Sequence, residues 1–210
     1  GVKGMRVPPG QLLSDEKFAA YFDAYYRPAL EYARANKLPI AFRGWNWAKI
    51  LLDIENGVRG RLPEGSDTAK LIRNGVPSNS LADPFGPVTR WEEFGKIWMG
   101  HELMQKIQEF YPNPPMVVFL NNHEAGQINS PSQIDHTCDR FVALYGTGKD
   151  LDFRARKIRE GYAERYAALF AAARAAFVEP GWRNNSLFVA YNNTSSPILG
   201  RGVSDTHDWS

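Results

Sequence analysis

The stretch Pro114-Pro115-Met116-Val117-Val118-Phe119-Leu120-Asn121-Asn122-His123-Glu124-Ala125-Gly126 governs how the rest of the chain is read. Five apolar residues run from Met116 to Leu120 without alternation, the pattern of a strand covered on both faces, as in a parallel sheet. Two amides, an imidazole and a carboxylate then arrive together ahead of Gly126. In parallel α/β folds, ligands bind at the carboxyl ends of the strands. Glu124 is therefore a candidate general acid/base.

Working outward, two more apolar runs end the same way. Residues 38–42 predict a strand that ends in Arg43-Gly44-Trp45-Asn46-Trp47, and residues 186–191 predict one that ends in Tyr191-Asn192-Asn193. Residues 1–7 read as a short strand ending near Arg6 and closed by Pro8-Pro9-Gly10. Between the strands lie helical patterns. Phe18, Tyr21, Phe22, Tyr25, Leu30 and Ala33 recur at helical spacing and predict a helix over 15–36, which Pro28 should kink or split. Further helices are expected over 48–55, 91–110, 132–144 and 151–178. Strands alternating with helices argue for an α/β fold with parallel strands. The breakers Gly57, Gly60, Pro63, Gly65, Gly75, Pro77, Pro84, Gly86 and Pro87 leave little room for regular structure between 57 and 87. Beyond the short helix, the rest of the segment 48–89 is read as a long functional loop forming one wall of a binding cleft.

Composition narrows the partners. A length of 210 residues suits one domain with a substantial core. The net charge of +2, carried by scattered basic residues, gives no sign of nucleic acid or a membrane surface as partner. No apolar run approaches the roughly 20 residues that span a bilayer. Cys138 is the one cysteine, so no intrachain disulfide forms, and it reads as a small buried or half-buried residue. His101 and Glu102 fall within a helical pattern and read as structural.

Polar and aromatic residues at four successive strand ends suggest an active site at the top of a barrel. The stretches Gly4-Met5-Arg6-Val7-Pro8, Leu38-Pro39-Ile40-Ala41-Phe42-Arg43-Gly44-Trp45 and Val117-Val118-Phe119-Leu120-Asn121-Asn122-His123-Glu124 resemble the retaining glycoside hydrolases of the large (β/α)8-barrel clan, which includes cellulases, mannanases, agarases and β-galactosidases. The resemblance covers most of residues 1–124 by pattern and the remainder by element order. It implies an α/β fold of the parallel (β/α)8 TIM-barrel type, with residues 1–210 part of one catalytic domain. Strand one and strands six to eight would lie outside the chain, since a full barrel takes about 250 residues.

The same resemblance implies a function. Glu124 matches the acid/base and Arg6 the arginine at the end of strand two, while the nucleophilic Glu of strand seven would lie outside this chain. His123 stands where most of the clan has Asn. A mannanase-type family of the clan also carries His-Glu, and Asn122 lies one position further back. Retaining hydrolysis needs two carboxyl groups about 5 Å apart, one to donate a proton and one to attack the anomeric carbon. The expected substrate is a β-linked polysaccharide or oligosaccharide. Arg6, Asn122 and His123 would orient the sugar and the carboxylates, and Trp45, Trp47 and Tyr191 would stack on sugar rings. His207, within the polar cluster Asp205, His207, Asp208 and Trp209, would contribute to a further subsite. No cofactor is expected, and a secreted or periplasmic location follows from the substrate. Two alternatives stay open: a carbohydrate-binding barrel without catalysis, and a metal-dependent hydrolase using ligands drawn from His123, Glu124, Asp135, His136, Cys138 and Asp139.

Overall fold

A computed structural model describes residues 19–44, 47–57, 67–121, 126–192 and 205–208. The first helix shows how the chain accommodates its internal proline. Helix α1 (Arg27–Ala35) carries Pro28 in its first turn, where a missing N–H is tolerated. A π-helical turn, Phe22–Tyr26, leads into it, and the Arg27 amide bonds back to the carbonyl of Phe22. The wider turn makes room for the ring that would otherwise press on the preceding carbonyls. The expected kink is thus a local widening, and residues 19–35 stay helical.

Strand β1 (Ile40–Gly44) follows, then helix α2 (Trp47–Glu55). Next comes a hairpin of β2 (Lys70–Arg73) and β3 (Val76–Ala82), which pair antiparallel. The helix expected over 48–55 is present, but the segment beyond it, read as an irregular loop, holds a hairpin. The hairpin turns at Asn74 (φ 46°) and Gly75 (φ 76°), both left-handed, as a two-residue type I′ turn demands. The helix expected over 91–110 is two helices, α3 (Val88–Met99) and α4 (Glu102–Phe110), divided at Gly100 and His101. The His101 side chain caps α4 by accepting the Leu103 amide at 3.2 Å.

Strand β4 (Val117–Asn121) is followed by a single 3₁₀ turn (Pro131–Gln133), helix α5 (Asp139–Tyr145), the long α6 (Leu151–Ala175) and the short α7 (Pro180–Asn185). Strands β5 (Ser186–Asn192) and β6 (Asp205–Asp208) complete the order.

The main sheet runs β1-β4-β5-β6. The first three strands are parallel, and β6 pairs antiparallel with β5. This corrects the barrel expectation. A (β/α)8 barrel needs eight parallel strands closed on themselves. Among the described residues, three parallel strands end at an antiparallel edge, and the crossover from β1 to β4 carries a hairpin and three helices. The architecture is an open α/β sheet with a separate two-stranded ribbon.

Burial alternates along the strands, which also corrects the reading of 116–120 as covered on both faces. Ile40, Phe42, Val117, Phe119 and Phe188 are fully buried on one face. Ala41 and Leu120 on the other face are exposed, and Val118, Leu187 and Val189 are half-buried. The buried face is an aromatic ladder. Phe42, Phe119 and Phe188 are register partners on adjacent strands. Their rings stack at 5.1 and 4.8 Å. Phe177, Trp98 and Trp182 close over Phe119. Helix α6 packs on α3 through Tyr162 and Tyr166, whose rings meet Trp91 edge-on at 6.4 and 5.1 Å. Offset and edge contacts of this kind add to the burial energy of the rings.

Candidate functional site

The three parallel strands bring their carboxyl ends to one sheet edge. Gly44 of β1 is the register partner of Asn121 of β4, and β5 runs alongside as far as Asn192. The chain continues from these ends into Trp45-Asn46, Asn122-His123-Glu124 and Asn193. Arg6, Trp45, Asn122, His123 and Glu124 all lie outside the described residues. For Tyr191 and His207 the backbone is described: Tyr191 sits in β5 opposite Thr206, and His207 in β6 opposite Ala190.

Trp47 is not part of a cleft wall. It opens α2 rather than extending β1, is fully buried, and packs against Trp98, Tyr166 and Phe170 at 5.3, 6.1 and 4.9 Å. Its role is in the core, because the helix begins at this residue and turns the indole inward.

The chain that leaves β4 is anchored immediately downstream of Glu124. Gly126 has φ +91°, and a Cβ there would lie 2.8 Å from the backbone nitrogen of Lys49 in the first turn of α2. Only glycine suits both the dihedral and the approach. The Gly126 carbonyl accepts the Ala82 amide at 2.7 Å, tying this segment to the end of β3. Gln127 is buried and donates through Nε2 to the hydroxyl of Tyr166. The Ile128 amide donates to the hydroxyl of Tyr162 at 2.8 Å, and that hydroxyl donates onward to the Ala82 carbonyl at 2.9 Å. Burial pushes the pKa of both phenols above its ordinary value, so they stay protonated. In sequence, Asn122-His123-Glu124 thus falls between the central strand and a clamp built from α6 and β3.

The buried carboxylates of the described residues already have structural partners. Glu55 accepts from the hydroxyl of Thr68 and from the Ala69 amide at 2.7 Å, with Arg90 at 3.5 Å. Asp83 is buried and meets Arg140 at 3.0 Å and the Phe85 amide at 2.9 Å. Burial raises the Asp83 carboxyl above the ordinary range, and those two donors oppose it. Arg140 also reaches Asp67 and the carbonyls of Thr68 and Lys70, so one guanidinium fastens the start of the hairpin to α5. Sequence reading missed this network, since its members are spread from residue 55 to 140.

The metal alternative finds no cluster. Among the described residues, no group of three or more His, Cys, Asp or Glu side chains is placed to hold an ion. Asp135 is occupied with Thr137, whose hydroxyl and amide donate to it and hold the carboxyl below its usual range. Asp139 accepts the Gly75 amide at 2.7 Å. Cys138 is buried, as expected. His123 and Glu124 again lie outside the described residues.

No helix of the described residues is long and apolar enough to cross a membrane. No protein-family model, curated protein or solved structure matches the chain.

Proposed function

We propose that the protein is a glycoside hydrolase acting on a β-linked polysaccharide or oligosaccharide, with Glu124 as the proton donor to the leaving oxygen. The observation that carries this reading is the position of β4: it is the middle of three parallel strands, and the Asn122-His123-Glu124 sequence follows directly from its carboxyl end. Strand ends of this kind are where open α/β sheets bind their ligands.

In this reading Glu124 acts first as acid and then as base toward water, with a second carboxylate completing the pair. Asn122 and His123 orient the sugar. Trp45 and Tyr191 supply stacking surfaces, with Arg6 and His207 as further contacts. Trp47 takes no part. The reaction needs no cofactor, and a polymeric substrate fits a secreted or periplasmic enzyme.

The test is turnover of a panel of aryl β-glycosides and soluble β-glucans and β-mannans by the protein and by Glu124→Gln. Loss of an acid/base residue lowers the rate about 10²–10⁴-fold. The expected result is that loss with an unchanged unfolding midpoint. Equal turnover by the two proteins would overturn the assignment.

A further inference from the structure

The turn Asp83-Pro84-Phe85-Gly86, which follows β3, is gripped by side chains from two helices. The Asp83 carboxylate is buried and both of its oxygens are occupied: one accepts the Phe85 amide at 2.9 Å, the other Arg140 of α5 at 3.0 Å. The rest of that guanidinium is spent on Asp67 at 2.9 Å and on the carbonyls of Thr68 and Lys70 at 2.8 and 2.9 Å. From α6, the buried Arg165 donates twice to the Gly86 carbonyl, at 3.0 and 2.7 Å. Gly161 of the same helix lies so close to the Pro84 carbonyl that a Cβ would not fit. The turn is also closed on itself and on the start of β2, by the Gly86 amide on the Asp83 carbonyl and the Asp83 amide on the Ala69 carbonyl.

The residue before this turn is Ala82, and both of its backbone groups serve the chain that follows Glu124. The Ala82 amide donates to the Gly126 carbonyl at 2.7 Å. Its carbonyl accepts the Tyr162 hydroxyl, which also takes the Ile128 amide. We propose that Asp83 and Arg140 are positioning residues of the strand-end site: they fix Ala82, and through its amide they fix Gly126, two residues after Glu124. The inference rests on the hydrolase reading and extends it to a pair that acts through the backbone rather than on the sugar. Stability alone is a poor reason to bury such a pair, because desolvation offsets most of the attraction between the two charges. What the pair does supply is direction. A carboxylate with both oxygens engaged and a planar guanidinium fastened to four acceptors leave the turn one arrangement. Catalysis is sensitive to such placement, since a shift of about 1 Å far from the chemistry can cost on the order of 10²-fold in rate.

The experiment compares the full chain with Asp83→Asn, Arg140→Gln, the double variant and a control, Arg174→Gln. Asp83→Asn is isosteric and leaves the Phe85 amide its acceptor, so it removes the charge without removing the turn. Arg174 is also a half-buried arginine tied to backbone, but it holds Ser186 at the amino end of β5, the opposite edge of the sheet. Steady-state rates on an aryl β-glycoside are measured where every variant is fully folded, and amide exchange is followed by NMR. Each single variant should lower kcat about 10–100-fold with KM within about twofold of the parent. The double variant should be no slower than the slower single, because the two residues act as a unit. The Ala82 and Ile128 amides should exchange about tenfold faster or more, with the Tyr111 amide at the end of α4 unchanged. Arg174→Gln should keep the parent's kcat and its protection at Ala82 and Ile128. The inference is overturned by an unchanged kcat in either single variant, by a loss carried in KM alone, or by an equal loss in Arg174→Gln. Acceleration at Tyr111 to the same degree would also overturn it, as general loosening of the fold. A parent that turns over no glycoside refutes the hydrolase reading instead, and exchange at Ala82 and Ile128 then decides by itself whether the pair positions the segment.

Discussion

The hydroxyl of Tyr162 accepts the amide proton of Ile128 at 2.8 Å while donating its own to the carbonyl of Ala82 at 2.9 Å. One buried phenol thereby joins α6, the end of β3 and the segment that begins at Gly126, two residues after Glu124. Tyr162→Phe keeps the ring and its packing but leaves a buried amide and a buried carbonyl without that partner. The expected loss is about 2–4 kcal/mol, or roughly 5–15 °C in Tm for a domain of this size. Tyr166→Phe removes only the acceptor for Gln127 and should lose about half as much. Chemical denaturation with m held constant checks both values. Equal effects in the two variants would refute the bridging role of Tyr162.

The sheet has one structural face, so mutations on alternate residues of β4 should differ sharply. Phe119 is fully buried and its ring touches Phe42, Trp98, Phe177, Trp182 and Phe188. Phe119→Ala should destabilise by about 3–5 kcal/mol. Val118→Ala, one residue earlier on the half-exposed face, should cost about 1 kcal/mol or less. Comparable midpoints for the two variants in urea would show that the burial pattern is wrong.

Strands β1, β4 and β5 are legible because their apolar runs are short, bounded by breakers and unsuited to a helix; β6 (Asp205–Asp208) has no such run and reads only as a polar cluster. The carboxyl ends of β1, β4 and β5 fall within two residues of where those runs stop. What failed was inference from apolarity to coverage: Val118 and Leu120 read as buried by type, yet lie on the half-covered face. The barrel failed for a related reason. A strand–helix alternation does not report the direction of the next strand, and β6 pairs antiparallel. The Asn74-Gly75 pair is the strongest local signal for the hairpin, but Pro77 and Gly86 behind it interrupt the strand pattern that would flank such a turn. Trp47 differs from the expected stacking residue because it begins a helix and turns its indole into the core. Long-range anchors such as Tyr162 to Ile128 have no sequence signature, because nothing local marks which buried hydroxyl will meet which amide.

His101 makes stability depend on pH. Its Nδ1 must be unprotonated to accept the Leu103 amide, and burial holds the ring below its ordinary value of 6.5, with Glu102 opposing in part. A base whose folded-state value is depressed contributes fully above its unfolded value. That contribution is lost as pH falls through the folded-state value. Stability should therefore be flat above pH 7 and decline below about pH 6. His101→Asn supplies a cap that does not titrate, so it should remove this component while changing stability at pH 8 by less than about 1 kcal/mol. Urea midpoints across pH 5–8 for the two proteins give the difference directly, and parallel curves would exclude His101 as the source.

Gly126 tests whether the segment from Gly126 to Ile128 must be held against α2. Its φ of +91° is costly for any side-chain-bearing residue, and an added Cβ would sit 2.8 Å from the Lys49 nitrogen and 3.0 Å from its Cα. These are backbone atoms of α2 and cannot swing aside. Gly126→Ala should therefore displace the segment that donates Ile128 to Tyr162 and accepts from Ala82, with a loss of about 2–4 kcal/mol. Gly57→Ala is the control. It also has positive φ, but its Cβ would meet nothing within 4 Å, so it should show the dihedral strain alone, about 1 kcal/mol. If Glu124 is the proton donor, Gly126→Ala should also lower kcat at temperatures where the variant is fully folded, and Gly57→Ala should not. A Gly126→Ala protein with parental stability and amide-exchange protection at Ile128 would show that the tight approach to α2 is dispensable.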